Sequence, residues 1–113
     1  AEIILALDCP ADQARRLIAR IPELRWVKVG SILFAREGPA LVRELTGLGL
    51  QVFLDLKLHD IPNTVARATA QVAGLGATYL TVHAYPQTMK AAAGAAKGSG
   101  LQLLAVTVMT SWR

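Results

Sequence analysis

The chain has 113 residues, of which 53% are hydrophobic, and it carries a formal net charge of +4 with a single cysteine, Cys9. That length suffices for one small domain, and a lone cysteine excludes an internal disulfide and fits a reducing cytoplasm. No run of about 18 uncharged apolar residues indicates a membrane span, and no basic segment before an apolar core indicates a secretory signal. The positive charge favours anionic partners. Because the arginines are scattered, nucleic-acid binding is only weakly supported, and a small anionic substrate is at least as compatible.

Five short apolar runs recur along the chain, and each is predicted to form a β-strand. Their spacing corresponds to one strand, one helix and two loops, which is typical of a repeating βα unit. The apolar runs cover residues 2–7, 25–27, 51–54, 78–82 and 101–106.

The four intervals between the strands are predicted to be helices. Each begins near a proline, at Pro10, Pro39, Pro62 or Pro86, and the last three end near glycine. The first three intervals carry apolar residues at the i, i+3, i+4 and i+7 positions of a helix, and the fourth is rich in alanine.

Strands that alternate with helices through short loops imply right-handed crossovers and a parallel sheet. An open doubly wound sheet and a (β/α) barrel both fit this pattern. A barrel needs eight units and at least about 200 residues, whereas this chain has four units and a fifth strand. We expect residues 1–113 to form a single domain, with no second domain, and to be the N-terminal part of a longer protein.

Polar residues occur at the C-terminal ends of the predicted strands. In parallel sheets and barrels this is the edge at which ligands bind and active sites lie. A repeated placement at that edge favours a functional site over a set of unrelated structural charges. The residues concerned are Asp8, Lys28, Asp55, His83, Thr107 and Thr110.

The stretch 53–64 runs from a strand into the first turn of a helix and carries three charges, Asp55, Lys57 and Asp60. Because strand side chains alternate between faces, Asp55 and Lys57 are predicted to share a face with Phe53. A buried charge costs several kcal/mol, roughly, unless it is paired. A purely structural ion-pair network with a helix cap at Asp60 is the competing interpretation.

Lys28 adds a fourth charge at the same edge of the sheet. If Lys28, Asp55, Lys57 and Asp60 alternate around one opening, the aspartates keep the lysines protonated and the lysines keep the aspartates ionised. A protonated lysine acts as an acid and a point charge, not as a Schiff-base nucleophile.

Other chemistries lack a signature in this sequence. His59 and His83 do not have the ligand spacing of a metal site, and no glycine-rich phosphate loop indicates a nucleotide cofactor. Ser111 is not part of a nucleophile elbow. A metal site is therefore poorly supported and a nucleotide cofactor has no signature, and we interpret His83 as a packing or hydrogen-bonding residue.

Residues 55–64 closely resemble the signature of the orotidine 5′-phosphate decarboxylase family, in its bacterial branch. The Asp-x-Lys-x-x-Asp part is shared with sugar-phosphate enzymes of the same superfamily, but the Ile-Pro-Asn-Thr that follows is more specific. The resemblance extends in order and spacing over nearly the whole chain, through residues 6–8, 27–30, 81–84 and 105–111.

The resemblance implies a fold, a reaction and an assembly. The fold is the (β/α)8 TIM barrel, of which this chain would contain the first four βα units and strand five. The reaction converts orotidine 5′-monophosphate to uridine 5′-monophosphate and CO2, the last step of de novo pyrimidine synthesis, without a cofactor. The assembly is a cytoplasmic homodimer with shared active sites, with no nucleic-acid or membrane partner.

The resemblance also implies roles for individual residues. Lys57 matches the proton donor, and Lys28, Asp55 and Asp60 match the charge network. Asp60 also reaches into the neighbouring subunit's site, together with Ile61 and Thr64. Asp8 matches a ribose contact, and Thr110 lies close to the pyrimidine. The implied substrate-binding set is Asp8, Lys28, Asp55, Leu56, Lys57, Leu58, His59, Asp60, Ile61, Pro62, Asn63, Thr64 and Thr110.

The family's phosphate-binding glutamine loop and arginine follow strands six to eight, and this chain does not contain them. We therefore expect the 113-residue chain alone to be inactive. Two alternatives stay open. One is a sugar-phosphate decarboxylase or aldolase that uses a divalent cation, although the carboxylates it would need are hard to find among Glu2, Glu23, Glu37 and Glu44. The other is a non-catalytic half-barrel that binds anions or assembles with another half.

Overall fold

The computed structural model describes residues 3–107, and its centre is a five-stranded parallel sheet with strand order β1-β2-β3-β4-β5. The five predicted strands are confirmed. A doubly wound sheet reverses its strand order at a switch point, whereas a barrel adds strands in sequence, so this order is that of a TIM barrel. The strands are β1 Ile4–Ala6, β2 Trp26–Gly30, β3 Gln51–Leu58, β4 Tyr79–His83 and β5 Gln102–Val106.

Five helices connect the strands, one more than the sequence predicts. They are α1 Ala11–Ala19, α2 Ser31–Glu37, α3 Pro39–Gly47, α4 Pro62–Gly74 and α5 Pro86–Ala96. Proline precedes or begins the four predicted helices, because its missing N–H and fixed φ suit a first turn. Within residues 3–107, no helix is both long and apolar enough to cross a bilayer.

The helix that the sequence does not predict is α2. It has seven residues, of which only Leu33 is buried, so it is too short and too exposed to produce an apolar helical repeat. Gly38, at φ +68°, ends α2 and lets the chain turn directly into α3. The left-handed region of φ is readily open only to glycine, so this turn depends on Gly38.

Two strands continue beyond their apolar runs, as the sequence predicts from the strand positions of Lys28, Asp55 and Lys57. The runs stop at Val27 and Leu54, and the pairing continues, with Lys28 opposite Phe53 and Gly30 opposite Asp55. The charged side chains interrupt the apolar run without interrupting the backbone hydrogen bonds. The charges therefore lie within the strands and not in the loops that follow.

The two faces of the sheet differ sharply in burial. The face that packs against the helices is most deeply buried in the three central strands, where the residues at 0–1% exposure are Val27, Val29, Val52, Leu54, Leu80 and Val82. On the opposite face, the rings of Trp26 and Tyr79 stack with centroids 5.4 Å apart, and Phe53 meets Tyr79 edge-on at 5.9 Å. These rings lie on the same face of the sheet as the charged residues, closer to the N-terminal ends of the strands.

Candidate active site

Lys28 and Asp55 meet across the β2–β3 pair. Lys28 is opposite Phe53, so Asp55 lies one repeat further along the same face of β3. The Nζ atom of Lys28 lies 3.8 Å from Oδ2 of Asp55. Gly30 is directly opposite Asp55, and a Cβ atom there would contact nothing within 4 Å, so the space beside Gly30 is open.

Lys57 approaches the same carboxylate from β3 itself. Its Nζ atom lies 3.0 Å from both Oδ1 and Oδ2 of Asp55. The predicted pairing of these two side chains is thus present, although the strand is not regular at this point. Lys57 has φ +49° and lies in a break of the β3–β4 register between Leu54 and Leu58. A non-glycine residue in the left-handed region costs of order 1–3 kcal/mol and persists only where its surroundings hold it.

Thr81 is a part of this cluster that the sequence analysis missed. Its hydroxyl donates to Oδ1 of Asp55 at 2.8 Å and accepts the backbone N–H of Lys57 at 2.9 Å. The residue is only 5% exposed. The available signal was a polar residue at the centre of an apolar strand, on the face shared by Tyr79 and His83.

The environment keeps Asp55 ionised at neutral pH. Burial alone would raise the pKa of Asp55, but hydrogen bonds from Thr81 and Lys57, with the charges of Lys57 and Lys28, outweigh that effect. The pKa of Asp55 is therefore held below its ordinary value. Two ammonium groups, those of Lys28 and Lys57, pair with this one carboxylate. The three groups together carry a net positive charge, which would attract an anionic ligand.

The charged cluster lines an open cavity of about 470 Å³ at the C-terminal ends of β1, β2 and β3. The predicted residue Asp8 lies at this cavity, and α2 contributes Ser31 and Arg36, which the sequence analysis did not identify because it did not predict α2. The volume falls within the range of small-molecule sites. The charged lining residues are Asp8, Lys28, Arg36, Asp55 and Lys57, three cations against two anions.

Asp60 does not join this cluster in the described part of the chain. It is exposed, and its Oδ1 accepts the backbone N–H of Ile61 at 2.7 Å. Among residues 3–107 it has no ion pair, so the predicted four-charge network contains three charges here. The helix-cap interpretation of Asp60 is wrong, because the N-cap of α4 is Ile61 and no side chain caps that helix.

Four consecutive residues of the signature, 59–62, line another open cavity, of about 640 Å³. The ring of His59 stacks on Tyr85 with centroids 4.5 Å apart and lies 5.3 Å from the ring of His83. Nδ1 of His59 is 3.2 Å from the hydroxyl of Thr88. His83 therefore belongs to a packed ring cluster. The lining residues are His59, Asp60, Ile61, Pro62, Tyr85, Pro86, Gln87 and Thr88.

The other predicted positions divide into three groups. Leu56 and Leu58 are partly buried and pack against the core, whereas Asn63 and Thr64 are exposed in the first turn of α4. Thr110 lies outside the described residues. Within 3–107, no three His, Cys, Asp or Glu side chains are grouped so that they could hold a metal ion.

Parallel strands in sequential order, with a charged cavity at their carboxyl ends, are the arrangement in which TIM-barrel proteins carry their active sites. The profile of the orotidine 5′-phosphate decarboxylase / HUMPS family matches residues 1–113, and the chain belongs to that family.

Individual relatives agree with the family match. The chain is 53% identical over 112 residues to orotidine 5′-phosphate decarboxylase of Afipia carboxidovorans, covering 97% of this chain and 48% of the relative. The protein of the same name from Methylobacterium radiotolerans is also 53% identical over 112 residues, with the same coverage of both chains. The chain thus spans about half the length of these curated relatives.

Solved structures share the fold. The crystal structure of orotidine 5′-phosphate decarboxylase from Lactobacillus acidophilus superimposes with a TM-score of 0.87 at 40% identity, over 97% of this chain and 54% of that one. An uncharacterized conserved protein from Geobacillus kaustophilus gives a TM-score of 0.89 at 41% identity, over 97% and 56% of the two chains.

Proposed function

We propose that residues 1–113 act as one domain, the N-terminal half of a barrel that converts orotidine 5′-monophosphate to uridine 5′-monophosphate and CO2 in pyrimidine biosynthesis. The observation that carries the proposal is the ammonium of Lys57, held 3.0 Å from both oxygens of Asp55 at the C-terminal end of β3. The names of the relatives, which match over 97% of this chain, support the choice of reaction.

Lys57 is the proposed acid. Breaking the bond between carbon 6 of the pyrimidine and its carboxylate releases CO2 and leaves an electron pair on a carbon with no adjacent carbonyl to absorb it. A preorganised ammonium beside that carbon stabilises the developing charge and then delivers its proton to form the C–H bond. The lysine is left as a neutral amine and regains a proton from solvent.

Asp55 has two proposed effects on this step. Its negative charge attracts the ammonium of Lys57 and holds it in place through the paired contacts. It also places a carboxylate beside the carboxylate of the substrate, which disfavours the bound substrate relative to a transition state that is losing that charge. The low pKa of Asp55 supports both effects, because each requires the ionised form.

The rest of the cavity would bind the substrate. Asp8, which lines the cavity, would accept hydrogen bonds from ribose hydroxyls, and Lys28 adds a second cation next to Asp55. Binding of the phosphate far from the reacting carbon would contribute much of the transition-state stabilisation. Since the family's phosphate-binding residues follow strands six to eight, we expect the 113-residue chain alone to show no turnover.

The proposed assembly is a homodimer in the cytoplasm, in which the loop after β3 completes the neighbouring site. Two observations support this assembly. Ile61 is 64% exposed although it is apolar, and Asp60 has no ion pair among residues 3–107 although it lies in the signature. Both would gain partners if the loop were covered by a second subunit.

The test is a turnover assay on the full-length barrel, in which residues 1–113 are joined to a second half, either their own or that of the Afipia carboxidovorans relative. We expect orotidine 5′-monophosphate to be converted to uridine 5′-monophosphate. The rate in excess chelator should equal the rate without chelator. Activity that requires magnesium and is directed at a sugar phosphate would support the alternative enzyme class instead. Substrate binding without any turnover would support a non-catalytic half-barrel.

A further inference from the structure

One hydroxyl group joins the two residues on which the proposed chemistry depends. The Oγ1 atom of Thr81 lies 2.8 Å from Oδ1 of Asp55 and 2.9 Å from the backbone nitrogen of Lys57. A threonine hydroxyl can donate one hydrogen bond, and here the acceptor is the carboxylate of Asp55. The hydroxyl oxygen in turn accepts a hydrogen bond from the backbone N–H of Lys57. Thr81 is 5% exposed, so bulk water hardly competes for either bond.

The backbone around Lys57 explains why a side chain makes this bond. From the pair Leu54–Leu80 to the pair Leu58–Val82, the chain advances four residues on β3 but only two on β4. Such a bulge removes backbone groups from the regular ladder. The N–H of Lys57 bonds instead to the side chain of Thr81, and Lys57 takes a left-handed φ of +49°. A partly buried N–H without an acceptor would be unfavourable, so Thr81 stabilises this backbone conformation.

We propose that Thr81 is a positioning residue, which fixes the backbone of Lys57 and the carboxylate of Asp55 relative to each other so that the ammonium points into the cavity. The inference rests on the proposed function, since it concerns the acid of that reaction. Thr81 does not touch the reacting atoms, and its effect is transmitted through Asp55 and Lys57.

The test compares Thr81→Val with a matched control, Thr69→Val, in the full-length barrel. Both threonines are buried, but the hydroxyl of Thr69 has no hydrogen-bond partner within residues 3–107. Valine keeps the shape of threonine and removes the hydroxyl. We expect Thr81→Val to lower kcat by about 10- to 100-fold, as for loss of a hydrogen bond to a charged group, with a smaller change in KM. Thr69→Val should leave both constants unchanged.

A second pair of variants keeps the test valid if Thr81→Val does not fold. Serine retains the hydroxyl, whereas cysteine has nearly the same size but is a weak hydrogen-bond donor. We expect Thr81→Ser to stay close to the unsubstituted barrel in kcat and Thr81→Cys to lose activity as Thr81→Val does. Equal kcat in the serine and cysteine variants would overturn the proposal.

The pH dependence of kcat/KM distinguishes a positioning role of Thr81 from a purely structural one, because a purely structural role would not shift it. The charged groups that face Asp55 are Lys28 on β2 and Lys57 on β3, and the cavity also contains Asp8 and Arg36. Because the bond from Thr81 favours ionised Asp55, Thr81→Val should shift the acid limb of kcat/KM to higher pH. An active barrel whose kcat and acid limb are the same in Thr81→Val and Thr69→Val would refute the role of Thr81. An unsubstituted barrel without turnover would refute the proposed function itself.

Discussion

The Nζ atom of Lys57 lies at the same distance, 3.0 Å, from both carboxylate oxygens of Asp55, two residues earlier in β3. The side chain of Asp55 is 17% exposed and that of Lys57 is 40% exposed, so solvent screens the pair only in part. Both partners come from one strand, and Thr81 holds both from the next strand. The geometry of the proposed acid and its counterion is therefore built within β3 and β4.

The acid stability of the full-length barrel should depend on Asp55. Its folded-state pKa lies below the ordinary value of 3.8. The unfolded chain therefore binds the proton more readily, and the stabilisation is present above the ordinary value and lost as pH falls through the lower folded pKa. We expect Asp55→Asn to reduce the free energy of unfolding at neutral pH and to make its decline on acidification less steep.

Urea unfolding at a series of pH values from neutral to about 2 measures this effect. Glu23→Gln is the matched control, because Glu23 is exposed and forms no ion pair among residues 3–107. An unfolding free energy that falls with pH as steeply in Asp55→Asn as in Glu23→Gln would contradict the prediction.

Lys28 should lower the pKa of Asp55 by less than Thr81 lowers it. Its Nζ atom is 3.8 Å from the carboxylate and makes no hydrogen bond to it, whereas the hydroxyl of Thr81 is hydrogen-bonded at 2.8 Å. We expect Lys28→Met to raise the pKa of Asp55, but by less than Thr81→Val does. NMR titration of the Asp55 carboxyl carbon in both variants measures the two pKa changes. A larger change in Lys28→Met than in Thr81→Val would show that the charge of Lys28 outweighs the hydrogen bond from Thr81.

Hybrid dimers test whether the site is shared between subunits. If Asp60 acts in the neighbouring site, Lys57→Ala and Asp60→Asn homodimers should both be nearly inactive. A hybrid of the two contains one site with both native residues, so random mixing should restore about a quarter of the native activity. Turnover after mixing and re-equilibration measures this recovery. No recovery, in samples where hybrids are shown to form, would place Asp60 in its own subunit's site.

Two leucines at the end of α3 test the account of the core. Leu45 is 1% exposed and belongs to the buried cluster between helices and sheet, whereas Leu48 is 61% exposed. Leu45→Ala should cost about 2–5 kcal/mol, because it removes apolar contacts and leaves a cavity. Leu48→Ala should cost less than about 0.5 kcal/mol. Chemical denaturation of both variants provides the comparison, and similar losses would show that the packing is incorrectly assigned.

The fold was predictable to the extent that it depends on local patterns. Apolar runs specified the five strands, and prolines marked the start of four helices, because both signals act over a few residues. The helix α2 has neither a proline nor an apolar repeat and was missed. The sequence alone left the doubly wound sheet open as well, because strand order depends on pairing between distant segments and not on local periodicity.

The site was predictable where charge and strand alternation determine it, as for Lys28, Asp55 and Lys57. Thr81 was missed because its importance arises from the register break between β3 and β4, which no local pattern reveals. Arg36 was missed with its helix, because its place at the cavity depends on how α2 folds back after β2.

The most direct test of the central claim is the turnover of Lys57→Ala in the full-length barrel. We predict a loss of kcat of about 10²- to 10⁴-fold, the range for removal of a general acid, with a much smaller change in substrate affinity. Lys90→Ala, which removes an exposed lysine on α5, is the control and should retain full activity. Unchanged turnover in Lys57→Ala would contradict the assignment of Lys57 as the acid.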